Sequence, residues 1–433
     1  MAVKTPLGTV IGLPRGTADY GTTDAIAIKE ILAVIEEAFK RFGFSPIITP
    51  AIENTAVLNA KAYGEESTKE IYLLDGKDSA LRFDLTIPLA RFMAMNKDVQ
   101  LPFKRYQIDR VWRKDEPQFM RSREFFQADI DIVGCADMSG DAECIMATLS
   151  ALEAVGITDY VLLVNSRASL DLVMGHFGIP AEMRSSAMRI IDKMSKVSAS
   201  EAIRQIAELG IKEDNVQQLI AFITEKSDSG EKLNKLEMNI EGSKPEAEMM
   251  RALLTRLSKY GIRGNAEVDF SLARGLDYYT GLIWEIAVRD EKGNRLPSIG
   301  SGGRYDRLIG MYTKSNIPAV GSSIGVTRLL SILKNRLERK TYADVHVIQI
   351  GRDVDDYVIS TANALRGHGI YTDMNVTGRG ISKQLEHAHA LGIRYAAIIG
   401  SQEAAAKKVK LRNMQTGTEE LLDISDAIAR IKG

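Results

Sequence analysis

A period-two alternation of polar and apolar residues limits the folds open to this chain more than any other pattern in it. The alternation runs from Leu81 to Val133, and it is clearest in the segments 81–88 and 123–133. Because side chains alternate across a strand, the pattern predicts strands with one apolar, buried face. The loop between the second and third stretches predicts an antiparallel pair. The other face collects polar residues and one aromatic ring: Arg82, Asp84, Thr86, Arg113, Arg123, Phe125, Gln127, Asp129 and Asp131.

This polar face mixes short carboxylates, arginines and one large aromatic side chain. Short carboxylates bind an ammonium group or an imidazole N–H, and arginine binds phosphate through its planar fork. An aromatic ring beside arginine is suited to stacking on a base. The alternative is an ordinary solvated face, which antiparallel sheets often have. We favour a binding site, because a solvated face is expected to carry Lys, Glu and Thr instead.

The rest of the chain divides into segments of different character. Residues 166–262 read as successive helices separated by Gly, Asp and Ser, which predicts a helical insertion. Strand-like sequence resumes after it, so residues 1–165 and 263–335 are predicted to form one α+β domain on a mostly antiparallel sheet, which would carry the site. Residues 342–433 alternate strands and helices, which predicts a C-terminal α/β domain with a mostly parallel sheet.

Charge and motifs narrow the function. The chain of 433 residues has 56 Lys and Arg against 57 Asp and Glu, and the net charge of -1 argues against non-specific coating of nucleic acid. We find no P-loop and no Rossmann glycine motif, and the glycine cluster of residues 300–303 favours a plain tight turn. The five histidines avoid the polar strand faces, so we expect neither a histidine-based hydrolase nor a metal site built from protein ligands.

The cellular setting follows from what the sequence lacks. Its two cysteines, Cys135 and Cys144, form no disulfide framework, and no stretch approaches 18 uncharged apolar residues. The first residues lack the long apolar core of a signal peptide. We therefore expect a cytoplasmic protein with no membrane partner.

Five segments together resemble the histidyl-tRNA synthetase family of class II aminoacyl-tRNA synthetases, over nearly the whole chain. The segments are similar to class II motifs 1, 2 and 3 and to two histidine-specific signatures; they are residues 43–52, 111–134, 319–330, 273–281 and 301–308. Residues 193–197 also resemble a class I synthetase loop, but we interpret that likeness as chance on a helix surface. Thr327 departs from the family, because motif 3 usually has Glu before Arg328.

The resemblance implies roles for residues of this sequence. The histidine-binding set would be Asp84, Thr86, Gln127, Asp131, Arg274, Tyr278, Tyr279 and Tyr305. The ATP-binding set would be Arg113, Asp115, Arg121, Phe125 and Arg328. Within these sets Arg113 and Arg274 would be catalytic, because both would place positive charge at the α-phosphate.

The function implied by the resemblance is ligation of L-histidine to tRNA(His), with ATP as co-substrate, Mg²⁺ as cofactor and a homodimer as the working form. The alternative is an inactive histidine-binding regulatory paralogue of histidine biosynthesis. Such paralogues usually lack the C-terminal domain and lose the catalytic arginines, whereas this chain retains both. In the C-terminal domain Lys408, Lys410 and Arg412 alternate on one predicted strand face, which suits either tRNA phosphates or an edge strand protected by charge.

Overall fold

The computed structural model describes residues 3–4, 10–58, 69–74, 76, 78–195, 197–262, 265–273, 278–313, 315–333, 338–376 and 378–433. Its strands are β1 Val3–Lys4, β2 Val10–Ile11, β3 Ser45–Pro46, β4 Ile52–Asn54, β5 Ser79–Leu81, β6 Phe103–Trp112, β7 Glu124–Val133, β8 Val161–Ser166, β9 Asn265–Val268, β10 Leu282–Ala287, β11 Gly300–Arg304, β12 Ala319–Gly325, β13 Val345–Gln349, β14 Thr372–Met374, β15 Tyr395–Ile399, β16 Lys408–Asn413 and β17 Glu419–Asp423. Its α-helices are Thr22–Arg41, Thr55–Leu58, Thr86–Met95, Ser139–Ala154, Arg167–His176, Ala181–Asp192, Ala199–Ala207, Glu213–Ile223, Ser229–Asn239, Lys244–Tyr260, Val326–Leu333, Asp355–Gly367, Ile381–Leu391, Ser401–Ala406 and Ile424–Lys432.

The described residues form two compact units. One comprises Met1–Ala18 and Glu30–Ile332, and the other comprises Asp19–Lys29 and Leu333–Gly433. Each unit has its own buried apolar core. Among the described residues, none of the helices is long and apolar enough to cross a membrane.

The first unit is built on an eight-stranded sheet with the strand order β3-β6-β7-β12-β11-β10-β8-β9. Its neighbours pair antiparallel except at the two ends, where β3 runs parallel to β6 and β8 runs parallel to β9. The predicted antiparallel pair is confirmed as β6 and β7, with Gln107 opposite Asp129. The mostly antiparallel α+β fold is therefore confirmed.

The predicted strand over residues 81–88 is wrong. Strand β5 ends at Leu81, and a helix begins at Thr86. Asp84 accepts hydrogen bonds from the backbone N–H groups of Thr86 and Ile87, at 3.2 and 3.0 Å. A carboxylate that pairs with the first free N–H groups of a helix is a helix-start signal, and it outweighed the alternation.

Arg82 consequently does not share a face with Asp84. Its guanidinium is buried, donates to the carbonyls of Thr49 and Arg110, and pairs with Asp109 on β6 at 2.6 Å. Asp84 and Thr86 instead reach the polar face of the sheet through the turn and the first residue of the helix. The buried Arg82 holds this turn against the strand pair.

The glycine cluster is also not a turn, because residues 300–304 form the interior strand β11. An added Cβ at Gly303 would lie 2.7 Å from the Tyr279 ring, and one at Gly321 on β12 would collide with the Asp131 carboxylate. Glycine is therefore needed here for close side-chain approach across the sheet rather than for chain reversal.

The helices predicted between residues 166 and 262 are present between β8 and β9, together with Ser229–Asn239, which the sequence pattern did not indicate. Leu233 and Leu236 are the buried residues of that helix, and the Asp228 side chain caps its start by accepting a hydrogen bond from the Glu231 N–H. A single pair of core leucines produces too weak a periodicity to be recognised.

The second unit carries a five-stranded sheet with the order β14-β13-β15-β16-β17. The first three strands are parallel, and β16 and β17 add antiparallel. The predicted α/β character of the C-terminal domain is confirmed, but its sheet is mixed rather than mostly parallel, because two of its four strand pairings are antiparallel.

Candidate active site

A cleft of about 840 Å³ lies on the polar face of the eight-stranded sheet. It is lined by every predicted histidine- or ATP-binding residue that the structure describes, namely Asp84, Thr86, Arg113, Asp115, Arg121, Phe125, Gln127, Asp131, Tyr278, Tyr279, Tyr305 and Arg328. Arg274 lies outside the described residues. The structure therefore brings together side chains from segments more than two hundred residues apart in the sequence.

The floor of the cleft is the polar face predicted for strand β7. Asp129 stands opposite Ser323 on β12, which pairs in turn with Ser301 on β11, and that residue pairs with Glu285 on β10. All four line the cleft. Arg123, which the alternation placed on the same face, is not among the lining residues; its Nε donates to the carbonyl of Asp115 at 3.0 Å.

Asp131 is the most enclosed carboxylate of the floor. It pairs with Arg105 at 2.5 Å and accepts a very short hydrogen bond from the Tyr305 hydroxyl. Burial raises the pKa of Asp131, while Arg105 and Tyr305 act in the opposite direction by stabilising its charged form. An orientated, hydrogen-bonded carboxylate of this kind is suited to accept an N–H from a polar ring.

Asp129 lies two residues before Asp131 on the same strand face, and one of its carboxylate oxygens is available as an acceptor. Burial raises the pKa of Asp129 to about 7, and the Arg105 charge moderates the rise. Asp129 Oδ1 and Gln127 Oε1 are both buried, and neither has a hydrogen-bond partner among the described residues. Buried acceptors that lack a donor cost free energy, so these two atoms mark where a ligand with N–H groups would be stabilised.

Three tyrosines close this part of the cleft. The ring of Tyr278 lies 4.8 Å from the ring of Tyr279 and 5.7 Å from that of Tyr305, measured between centroids. Burial keeps the pKa of Tyr278 and of Tyr305 well above the ordinary value, so both hydroxyls stay protonated and can donate. The rings define a pocket for a small flat group, with donors and acceptors at its edge.

Arg113 and Phe125 form a second group of lining residues. The guanidinium of Arg113 lies 5.2 Å from the centroid of the Phe125 ring and 4.3 Å from that of Phe83, and its Nε donates to the carbonyl of Phe83. Arg121 pairs with Asp115 at 2.8 Å. Two arginines beside an aromatic ring are suited to a phosphorylated aromatic ligand such as a nucleotide.

Arg328 is held by the backbone of two loops. Its Nε donates to the carbonyl of Met120 at 3.2 Å, and its Nη1 donates to the carbonyl of Ser298. Thr327, the departure noted above, accepts a hydrogen bond through Oγ1 from the backbone N–H of Phe126 at 3.1 Å. The hydroxyl thus ties motif 3 to strand β7 in this chain.

Sequence reasoning missed several lining or supporting residues. Arg105 is fully buried and faces two carboxylates, although its place on β6 resembled an ordinary polar position. Glu70 lines the cleft beside Asp115, and burial together with that carboxylate raises its pKa to about 7. Lys193 and Met194 of the helical block also line the cleft, so the segment interpreted as a chance likeness lies at this site.

The predicted tRNA-contacting cations behave differently. Lys408, Lys410 and Arg412 each pair with a carboxylate, on Asp423, Glu403 and Glu419 respectively, at 4.0, 3.6 and 3.1 Å. Strand β16 lies between β15 and β17, so the alternative of a charge-protected edge strand is wrong.

The sheet topology and the cleft, with motif-like segments on β3, β6–β7 and β12, define a class II aminoacyl-tRNA synthetase fold. Comparison with known proteins agrees. The family model described as histidyl-tRNA synthetase matches residues 16–329, and a model described as anticodon binding domain matches residues 344–433.

Individual relatives give the same result. A histidine--tRNA ligase of Clostridium tetani is 35% identical over 427 residues, covering 94% of this chain and 95% of the relative. The crystal structure of a histidyl-tRNA synthetase from Nostoc superposes with a TM-score of 0.83 at 30% identity, covering 97% of this chain and 98% of that one. The chain belongs to the histidyl-tRNA synthetase family.

A third likeness concerns the fold alone. A protein of Bacillus halodurans described as an ATP phosphoribosyltransferase regulatory subunit/histidyl-tRNA synthetase superposes with a TM-score of 0.73 at 20% identity, covering 90% of this chain and 99% of that one. The same fold therefore occurs in proteins described as synthetases and in one described as a regulatory subunit, so the fold alone does not indicate which function applies and the site residues have to be compared.

Proposed function

We propose that this protein activates L-histidine with ATP to histidyl-adenylate and transfers the histidyl group to the 3′ end of tRNA(His). The observation that carries the proposal is the pair of buried acceptors on Asp129 and Gln127, which have no hydrogen-bond partner among the residues that the structure describes and lie beside the orientated carboxylate of Asp131. A cavity floor of acceptors is suited to a small ligand that carries both an ammonium group and ring N–H donors.

In the proposed complex Asp84, Thr86 and Gln127 bind the α-amino group of histidine. Asp131 and Tyr279 bind the two imidazole nitrogens, and Tyr278 and Tyr305 complete the pocket. Asp129, which the sequence placed on the same strand face without a role, adds negative charge on the ammonium side. A site that hydrogen-bonds both ring nitrogens rejects analogues that lack them, by roughly 10⁴–10⁵, so no editing site is needed.

ATP occupies the remainder of the cleft in this proposal. Phe125 and Arg328 hold the adenine between them, and Asp115 accepts a hydrogen bond from its exocyclic amine. Arg113 binds the α-phosphate, and Arg121 binds further along the triphosphate. The contacts of Arg113 with two aromatic rings fix its guanidinium beside the Phe125 ring before ATP binds, which reduces the reorganisation needed in the reaction.

Mg²⁺ accompanies ATP. Among the described residues no group of three or more His, Cys, Asp or Glu side chains could hold a metal ion. Mg²⁺ at nucleotide sites keeps several waters and takes one or two carboxylates with the phosphates, so the ion needs no cluster of three or more protein ligands here. Glu285 on the floor would be such a ligand, and the bound ion would neutralise phosphate charge.

The chemical step follows from these positions. The histidine carboxylate attacks the α-phosphorus, the bond to the bridging oxygen breaks, and pyrophosphate leaves. Arg113, and in our proposal Arg274, stabilise the negative charge that develops on the α-phosphate. A ribose hydroxyl of the tRNA then attacks the acyl carbon, and AMP leaves.

The tRNA contacts are assigned to more than one segment. Residues 342–433 bind the anticodon region in this proposal, supported by the match to the anticodon binding domain. Residues 166–262 are an insertion within the catalytic domain formed by residues 1–165 and 263–335. Lys408, Lys410 and Arg412 contribute little, because each already has a carboxylate partner.

We also propose a homodimer in the cytoplasm. Ile48 and Ile52 in the motif 1 segment are 90% and 54% exposed, and β3 beside them is an end strand of the large sheet. Exposed apolar residues next to an open sheet edge are suited to a partner subunit. Cys135 and Cys144 are free thiols, in keeping with a reducing compartment.

The second candidate is the histidine-binding regulatory paralogue, favoured by the likeness to the Bacillus halodurans protein. Such a protein needs the histidine pocket but not the nucleotide contacts. Arg113, Arg121 and Arg328 are all present in the cleft with partners that orientate them, which favours the ligase.

Histidine-dependent ATP–pyrophosphate exchange tests the proposal, followed by charging of total tRNA. The ligase predicts exchange with histidine alone among the twenty amino acids, and charging of one acceptor tRNA. Histidine binding without exchange would contradict it and would establish the regulatory candidate.

A further inference from the structure

Met120 has a backbone conformation that its residue type disfavours. Its φ angle is 60°, in the left-handed region, and among the described residues only Lys407 is another non-glycine residue with positive φ. Lys407 directly follows the helix Ser401–Ala406, where a left-handed residue commonly ends a helix. Met120 ends no helix, and its conformation is strained for an L-residue without a short polar side chain.

The strained residue shapes the turn between strands β6 and β7. Gln118 and Arg121 exchange backbone hydrogen bonds of 3.1 and 2.9 Å, so Phe119 and Met120 are the two central residues of a tight turn. Glycine or asparagine is the ordinary choice where such a turn requires positive φ. The chain therefore maintains a conformation here that a different residue would adopt at lower cost.

The carbonyl of Met120 faces Arg328. Arg328 Nε donates to that carbonyl at 3.2 Å, and Nη1 donates to the carbonyl of Ser298. These two bonds hold the guanidinium from both loops. Thr327 cannot supply the carboxylate that motif 3 usually has beside Arg328, since it carries a hydroxyl that accepts from the Phe126 N–H.

We propose that Met120 is a positioning residue for ATP, and that its left-handed backbone, rather than its side chain, sets the plane of the Arg328 guanidinium for stacking on adenine. This inference rests on the proposed function, because it takes Arg328 as an adenine-binding residue. Backbone strain retained at a ligand site in this way is a form of pre-organisation. The same turn also places Arg121, the next residue, against Asp115.

A series of substitutions at position 120 separates the backbone from the side chain. Met120→Gly and Met120→Asn accept positive φ but remove the apolar side chain, whereas Met120→Ile and Met120→Val keep apolar bulk but are β-branched and disfavour positive φ. We expect the KM for ATP in pyrophosphate exchange to stay within about twofold for Gly and Asn, and to rise about five- to tenfold for Ile and Val. The KM for histidine should stay unchanged in all four.

The opposite ranking would overturn the proposal. If Gly and Asn raised the KM for ATP while Ile preserved it, the side chain would be the functional part. Four equal values would also contradict the proposal. Met238→Ile is the matched control, because it makes the same substitution at a methionine that is 84% exposed and lies outside the cleft; its KM for ATP should not change.

Arg328→Lys distinguishes failure of this inference from failure of the proposed function. It should raise the KM for ATP about tenfold or more, and Met120→Ile should add little in that background, because both act through the same guanidinium. If Arg328→Lys has no effect, the adenine-binding role of Arg328 is wrong, and this proposal is wrong with it. If Arg328→Lys weakens ATP while Met120→Ile has the same effect in both backgrounds, only the positioning role of Met120 is wrong.

Discussion

The cleft floor and strand β16 both carry charged side chains on one strand face, but they treat charge in opposite ways. On the floor, Asp129 and Asp131 are 3% and 2% exposed, and burial raises the pKa of both. On β16, Lys408 and Lys410 are each about 40% exposed at the side chain and have carboxylate partners. The carboxylates of the cleft floor are shielded from water, whereas the lysines of β16 remain partly exposed to it.

This difference shows which charges are informative about function. A half-exposed ion pair contributes little to stability and is common on any surface. A buried carboxylate costs far more, and its presence calls for a ligand or a partner that compensates for lost hydration. We therefore assign the function from the residues of the cleft floor. We expect mutations there to change activity or substrate affinity by orders of magnitude more than mutations on β16.

The largest effect is expected at Arg113, which stands between the floor and the phosphates in our proposal. Arg113→Ala should lower the rate of pyrophosphate exchange by about 10²–10³, the usual cost of one transition-state donor. Histidine affinity, measured by calorimetry, should change by less than about threefold. Arg110→Ala is the control, because Arg110 is exposed and pairs with Glu124 outside the cleft. Parallel losses in both variants would argue for a folding defect.

Tyr305→Phe should give the next largest effect. The change removes the hydroxyl that donates to Asp131 and leaves a buried carboxylate oxygen without that bond. At about 1–3 kcal/mol for an unsatisfied buried acceptor, histidine affinity should fall about ten- to hundredfold. The exposed Tyr260 offers a matched Tyr→Phe control with no expected change. Unaltered histidine binding in Tyr305→Phe would remove the tyrosine from the site.

Asp129→Asn sharpens the comparison through pH. Because burial raises the pKa of Asp129 to about 7, the ligand-free carboxyl is largely neutral below that pH and charged above it. The substrate ammonium favours the charged form, so the affinity advantage of the wild type over Asp129→Asn should grow from pH 6 to pH 8, to about tenfold. Titration of free histidine is common to both proteins and cancels in the ratio. A ratio independent of pH would contradict the assignment.

The same raised pKa has a consequence for stability. A carboxyl whose folded pKa exceeds its ordinary value of about 4 stabilises the fold fully only below that value, and this contribution is lost as pH rises through about 7. The melting temperature of the ligand-free protein should therefore rise more on Asp129→Asn at pH 8 than at pH 5.

The smallest effect is expected on β16. Lys410→Ala and Arg412→Ala should change the KM for tRNA by less than about threefold and leave pyrophosphate exchange unchanged, because each cation is already paired. A loss of tenfold or more would show that these pairs open to bind phosphate, and the contrast between the two regions would then fail.

Much of the fold was predictable because its signals are local. The alternation along residues 123–133 predicted β7 and its polar face, and successive helical periodicities predicted the block between β8 and β9. The strand predicted for residues 81–88 was wrong because Asp84 accepts hydrogen bonds from the first N–H groups of a helix, and a period-two pattern does not reveal this role. The turn predicted for the glycines of β11 was wrong because these glycines are required by side chains outside the strand, such as the ring of Tyr279, which a Cβ at Gly303 would approach too closely.

The site was predictable as a set of residues but not as a network. The family-like motifs named the lining residues, and the strand pattern placed Gln127, Asp129 and Asp131 together. Arg105 could not be recognised, because only the antiparallel register shows that a residue of β6 faces the carboxylates of β7. Lys193 could not be placed either, because its position depends on how the helical block packs beside the sheet.

Discrimination at the imidazole nitrogens tests most directly whether the buried floor selects the substrate. Pyrophosphate exchange is measured with L-histidine and with 3-(2-thienyl)-L-alanine, which has a five-membered ring of similar size but no ring N–H. We predict that kcat/KM favours histidine by roughly 10⁴ or more, since the analogue would leave Asp131 and its neighbours without donors. A ratio within tenfold would contradict selection by these buried groups and would indicate a pocket that reads only shape.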